Sequence, residues 1–148
     1  PSTPRHPGSD PQHWTIYDGT FVAGATLHMM SQNVDAGKIL DVIEKKIPET
    51  ATSQEIGIQS SHMALALLFR NLDSILSGQI KPINLDWSGS YKKKRSDFVA
   101  MCQIDPDIKS ADLEHRIRCF HNPSYKNRLQ ITLHGRRFVF SDDKDYGD

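Results

Sequence analysis

The chain has 148 residues, and its eighteen Lys plus Arg balance eighteen Asp plus Glu, for a formal net charge of zero. That length suits one ordinary domain, and the balance argues against a globally basic nucleic-acid binder and against an acidic disordered tail as first readings. A mean hydropathy of −0.52 leaves a modest core, the longest apolar run (63–69) is far short of the ~20 residues of a membrane span, and two Cys are too few for a disulfide framework.

The neutrality hides a segregation. Residues 1–90 carry six basic and nine acidic side chains, residues 91–137 eleven and five, and residues 138–148 one and four. A positive middle segment fits either a solvated face or a site for a small anionic ligand such as a phosphate group.

In chain order, Pro1, Pro4, Pro7 and Gly8 impose an extended, turning loop. Ser9-Asp10-Pro11 then predicts a capped helix start feeding residues 12–17, ended by Asp18-Gly19. Residues 23–30 and 38–47 read as strands, joined by the polar loop 31–37. Thr52-Ser53-Gln54-Glu55 is a capping box, predicting a helix to about Ser77 that buries Ile56, Met63, Leu67 and Leu68 and stops at Gly78. Trp87 and Gly89 lead into the basic run Tyr91-Lys92-Lys93-Lys94-Arg95. Ser110 is expected to cap a short helix with Leu113, Ile117 and Phe120 on one face. Residues 121–127 read as a loop. Residues 129–133 and 137–140 alternate around His134-Gly135 as a hairpin.

Three groups of residues could carry chemistry. Asp35, beside Gly37 in a loop between strands, fits a general base or orienting group, although the isolated pattern favours a turn residue bonding its own backbone. His28 precedes it on the strand and either faces the site or sits in the core. The run 91–95, with Phe120, Asn122, Tyr125 and Lys126 downstream, combines aromatic faces with cations, as a nucleotide diphosphate requires; a solvated basic turn fits the same residues. Histidines 6, 13, 28 and 62 show no metal-ligand spacing, and no nucleophile elbow or base-paired Cys is evident, so no metal and no covalent catalysis is expected.

Taken in order, these pieces resemble the tetrahydrofolate-dependent formyltransferases. Pro1-Ser2-Thr3-Pro4 with Pro7-Gly8 is similar to the loop after that family's Asn-x-His-Pro-Ser motif. Thr26-Leu27-His28 and Val34-Asp35-Ala36-Gly37-Lys38-Ile39 resemble its Thr-x-His strand and Val-Asp-x-Gly-x-Ile loop. Gly8-Ser9-Asp10-Pro11 with Trp14 and Tyr17, then residues 91–97, Ile104-Asp105, Ile117-Arg118 and Asn122-Pro123, look closest to the branch acting on nucleotide-linked amino-dideoxy sugars.

The resemblance implies an α/β fold: the C-terminal half of a Rossmann-like catalytic domain in residues 1–80, and a small α+β extension ending in a β-hairpin in residues 81–148. It implies N10-formyltetrahydrofolate as formyl donor, a nucleotide-linked amino sugar as acceptor, no metal, no nucleic acid and no membrane, in a cytoplasmic enzyme. Asp35 with His28 would be catalytic. Gln32, Asn33, Val34 and Asp35 would bound the pterin pocket, the loop's contacts coming largely from backbone groups. Lys94 and Arg95 would hold the pyrophosphate, Phe120 and Tyr125 would pack on the base, and Tyr91, Asn122 and Lys126 would complete the acceptor site. The family's catalytic Asn and His are expected before Pro1, so the chain reads as the C-terminal portion of a larger enzyme, inactive by itself. The alternatives are formyl transfer to glycinamide ribonucleotide or methionyl-tRNA, or a non-catalytic nucleotide-sugar binding or dimerisation module. Ile131, Leu133, Phe138 and Phe140 have few obvious partners, which suggests a homodimer through the hairpin.

Overall fold

The computed structural model describes residues 3–87, 91–122, 125 and 128–141; Pro1, Ser2, Gly89, Pro123, Ser124, Lys126, Asn127 and the acidic tail from 142 lie outside the described residues. Within them the fold is mixed α/β. Helix α1 (Pro11–Tyr17) begins with Pro in its first turn, where the missing N–H costs nothing. Asp10 precedes it at φ 60° and ψ 44°, but its side chain makes no cap. The carboxylate turns instead to Arg95, 2.8 Å from each oxygen.

Strands β1 (Val22–His28) and β2 (Ile39–Lys46) pair antiparallel, from Val22 opposite Lys46 to Leu27 opposite Asp41. Helix α2 (Ser53–Leu76) covers them. Its capping box is formed: the Glu55 amide donates to Thr52 Oγ1 at 3.2 Å and the Thr52 amide to Glu55 Oε2 at 2.8 Å. Ser53, Ile56, Ser60 and Leu67 form its buried stripe. Leu68, expected in the core, is 43% exposed, because one residue past Leu67 the helix has turned by about 100°. At the far end Asp41 of β2 receives Arg70 Nε at 2.9 Å and Asn71 Nδ2 at 2.7 Å.

Past the basic run the structure adds two elements that the sequence pattern did not predict: helix α3 (Arg95–Cys102) and the two-residue strand β3 (Gln103–Ile104). The Asp97 carboxylate accepts from the Lys94 amide at 2.7 Å and so closes the first turn of α3. Helix α4 (Ser110–Phe120) follows, with Lys109 rather than Ser110 at its N-cap and no side-chain cap. Strands β4 (Gln130–Leu133) and β5 (Arg136–Val139) form the expected hairpin, with His134 at φ 48° and Gly135 at φ 74° in the turn. β3 joins β4 in parallel, giving the order β3-β4-β5.

One apolar cluster unites these pieces. Trp14, Ile16, Ala23, Ile47 and Ile56 pack with Phe98, Cys102, Cys119, Phe120 and Leu129, so residues on both sides of position 80 share a core. His13 lies within it, fully buried. Its Nδ1–H donates to the Cys119 carbonyl at 2.7 Å, and burial holds the imidazole below its ordinary pKa.

Candidate active site

The β1–β2 connection carries the site. Asp35 sits there at φ 46°, a left-handed conformation that a non-glycine residue keeps only when its surroundings enforce it. The Gly8 amide, 27 residues away, donates to Asp35 Oδ2 at 2.6 Å. The carboxylate is therefore tied across the fold instead of closing a local turn. On its other side His28 Nε2 lies 3.9 Å from Asp35 Oδ1, beyond hydrogen-bond length.

The ring of His28 is fixed in turn. Its Nδ1–H donates to the Met29 carbonyl at 2.9 Å, and Trp87 meets it edge-on with centroids 5.1 Å apart. The pairing register shifts between Leu27 and His28, which alters the regular alternation where His28 leaves the sheet. Gly37 makes the closure possible: a β-carbon there would stand 1.6 Å from the Met29 carbonyl oxygen. Trp87 Nε1 donates to the Gly37 carbonyl at 2.8 Å and seals the loop from outside.

Asp35 and His28 line one open cleft of about 460 Å³ together with Asp10, Gln12, Thr26 and Val34. Asp10, Gln12 and Thr26 were not singled out by sequence reasoning for this role. Of the residues expected around a pterin, Gln32, Asn33 and Val34 are exposed. The Val34 carbonyl is already engaged, accepting from Lys92 Nζ at 2.8 Å, and the Asn33 carbonyl accepts from Ser31 Oγ at 2.7 Å.

The basic run divides its labour. Lys93 Nζ stands 4.2 Å from the centroid of the Trp14 ring. Arg95 is paired with Asp10 and stacks over Phe98 at 4.7 Å and Tyr125 at 5.4 Å. Lys94 is exposed, and Tyr91, also exposed, donates to Asp97 at 2.9 Å. Tyr125 takes a hydrogen bond from Gln12 Nε2 and, with Asn122, lines a second groove of about 400 Å³ against Ser53, Gln54 and Ser61 of α2. Gln12 borders both hollows. Phe120 is a correction: it is 0% exposed and stacked on His13, so it has no face to give a base. Lys126 lies outside the described residues.

The two thiols are ill suited to nucleophilic chemistry. His115 does lie one turn before Cys119, 3.7 Å from its sulfur. Burial nevertheless pushes Cys102 and Cys119 each up to about 11, and a protonated thiol is a poor nucleophile. Among the described residues no group of three or more His, Cys, Asp or Glu could hold a metal ion, and no helix is long and apolar enough to cross a membrane.

The Asp and His that face this cleft, on a strand-loop-strand backed by a capped helix, lie inside a segment with known relatives. Residues 2–72, just under half of the chain, match the formyl transferase family. It is similar to the bifunctional polymyxin resistance protein ArnA of Wigglesworthia glossinidia brevipalpis, 32% identical over 93 residues covering 62% of this chain and 14% of that protein. It is also similar to methionyl-tRNA formyltransferase of Lachnospira eligens, 30% identical over 115 residues, with 78% of this chain and 36% of that one covered. The chain thus spans well under two thirds of either relative. Two solved structures share its fold. The 4-N formyltransferase from Francisella tularensis superposes with a TM-score of 0.79 at 23% identity, over 95% of this chain and 58% of that one. The N-formyltransferase from Helicobacter canadensis, in complex with folinic acid and dTDP-3-aminofucose, gives 0.71 at 19% identity, over 90% and 49%.

Proposed function

We propose that the whole protein transfers a formyl group from N10-formyltetrahydrofolate to the amino group of a nucleotide-linked amino-dideoxy sugar, and that the amine reacts in the cleft beside Asp35. The observation that carries this reading is the Asp35 carboxylate, with one oxygen pinned by Gly8 and the other turned toward His28 at the cleft, inside the segment that matches the family. The solved fold relative that carries folinic acid and dTDP-3-aminofucose supports the choice of donor and acceptor.

The residues present fit such ligands. The cleft is open, and two carboxylates, Asp10 and Asp35, with the Gln12 amide give it acceptors for an amine's N–H groups. The folate donor, bounded by the loop 32–35, supplies the one-carbon unit. As the amine nitrogen bonds to the formyl carbon and the carbon–N10 bond breaks, the amine gives up one proton and N10 of the departing tetrahydrofolate takes one; Asp35 Oδ1, with the His28 ring 3.9 Å away, is the proton acceptor the chain offers. Lys94 and Arg95 take the pyrophosphate, and Asp10 holds the guanidinium in place. Tyr125 and Asn122 receive the nucleoside in the second groove. Residues 1–80 then serve as the C-terminal half of a Rossmann-like catalytic domain and residues 81–148 as the acceptor-side extension. Phe138 and Val139, 52% and 46% exposed on edge strand β5, flank an apolar hollow of about 340 Å³ and would pair with a second copy. A light-scattering mass of two subunits at micromolar concentration is expected; a mass of one subunit would remove the dimer.

The test is a panel of acceptors offered with N10-formyltetrahydrofolate, followed by mass spectrometry of the products. One formyl group added to a nucleotide-linked amino sugar is the expected result. Product on methionyl-tRNA, the acceptor in the name of one relative, or on glycinamide ribonucleotide would overturn the choice of acceptor.

A further inference from the structure

We propose that Lys92 and Gly8 are the positioning residues of Asp35, because they close a ring of contacts that ties the basic segment to the loop carrying the carboxylate. Lys92 Nζ donates to the Val34 carbonyl at 2.8 Å, across 58 residues of sequence. The next residue, Lys93, pairs its backbone with the residues flanking Gly8: its carbonyl accepts from the Ser9 amide at 2.8 Å, and its amide donates to the Pro7 carbonyl at 3.2 Å. Gly8, bridged to Lys93 between those bonds, gives its own amide to Asp35 Oδ2 at 2.6 Å. Asp35 follows Val34, and the ring is complete.

Each member has a physical reason to be there. Asp35 at φ 46° needs its surroundings to over-determine it, and two anchors on adjacent residues do so. An ammonium on a carbonyl and an amide on a carboxylate are charge-assisted bonds, stronger than neutral ones. Gly8 is at φ +105°, and a β-carbon on it would stand 2.2 Å from the Lys93 carbonyl oxygen, so any side chain there parts the ring. The result is a carboxylate with one oxygen committed and its position set by the strap 92–95. That strap is the segment assigned to the acceptor pyrophosphate, so acceptor binding and carboxylate placement share one piece of backbone. The positioning role rests on the reading of Asp35 as proton acceptor in formyl transfer.

Two readouts separate the claims. In the whole protein, Lys92→Met is expected to lower turnover about tenfold with the nucleotide-sugar KM held within about twofold, and Lys92→Arg to restore most of it. In the isotopically labelled chain, the Gly8 amide proton should resonate far downfield, as a short bond to a carboxylate gives. Its exchange should speed at least about tenfold in Lys92→Met and stay slow in Lys92→Arg. Unchanged Gly8 exchange in Lys92→Met, or a loss of activity confined to KM, would overturn the proposal. Absence of formyl transfer by the unmutated protein, with the Gly8 response as described, would overturn the reading of the activity and leave the ring supported.

Discussion

Phe98→Ala tests whether α3 and the first part of the chain share one core. The side chain is 0% exposed. Its ring lies 4.8 Å from His13, 5.8 Å from Phe120 and 5.5 Å from Tyr125, with the Arg95 guanidinium 4.7 Å above it. Removing a buried Phe costs ~3–5 kcal/mol in transfer and cavity terms. Here the upper half of that range is expected, since the neighbours are the rings of His13, Phe120 and Tyr125, held on separate parts of the chain, which cannot collapse together. At ~2–4 °C per kcal/mol for a chain of this size, the melting temperature should fall by roughly 10 °C or more. Urea unfolding followed by Trp fluorescence and by far-ultraviolet circular dichroism should show one transition with a lower midpoint and an unchanged slope. A loss under about 1 kcal/mol, which is the scale of surface substitutions, would refute the shared core. So would two separate transitions.

Acid should weaken the β2–α2 junction. Burial pushes the Asp41 carboxyl up, but hydrogen bonds from Asn71, Arg70 and the Val42 amide outweigh it and hold the group below its ordinary value. Its contribution to stability is therefore full above the unfolded pKa of about 3.9 and is lost as pH falls through the lower folded value. The gap in urea midpoint between the parent chain and Asp41→Asn should shrink on acidification; a gap independent of pH would contradict the assignment. Gly37→Ala should displace the Met29 carbonyl and with it His28, lowering the melting temperature and altering Trp87 fluorescence, and a parent-like melt with unaltered emission would refute the close approach. Lys94→Ala combined with Arg95→Ala should raise the KM for the nucleotide sugar and flatten its salt dependence; an unchanged KM would return the run to a solvated turn.

What the sequence made legible was local. Thr52 and Glu55 are three residues apart, so their reciprocal caps can be read directly, and α2 follows with its stop at Gly78. The alternation around His134-Gly135 likewise carries its own turn. α3 escaped because its apolar residues form one short unbroken run, Phe98 to Cys102, with no helical period to read, and because its burial depends on rings from α1 and α4, while β3 exists only through pairing with the distant β4. The site divides in the same way. Asp35 and His28 lie seven residues apart on one strand-loop unit, and the structure brings both to the cleft. The bond from Arg95 to Asp10 spans 85 residues and that from Lys92 to Val34 spans 58, and no local pattern encodes either. Phe120 sits on the predicted face of α4. That face turned out to be the centre of the core, which periodicity alone cannot tell from a wall of a site.

The most direct test of the account is the rate of formyl transfer from N10-formyltetrahydrofolate to a nucleotide-linked amino sugar by the whole protein, compared with its Asp35→Asn form. The account predicts product from the parent enzyme, and a fall in turnover of ~10²-fold or more in the variant, as loss of a general base gives, with little change in affinity for the nucleotide sugar. Near-normal turnover by Asp35→Asn would contradict the role assigned to this carboxylate.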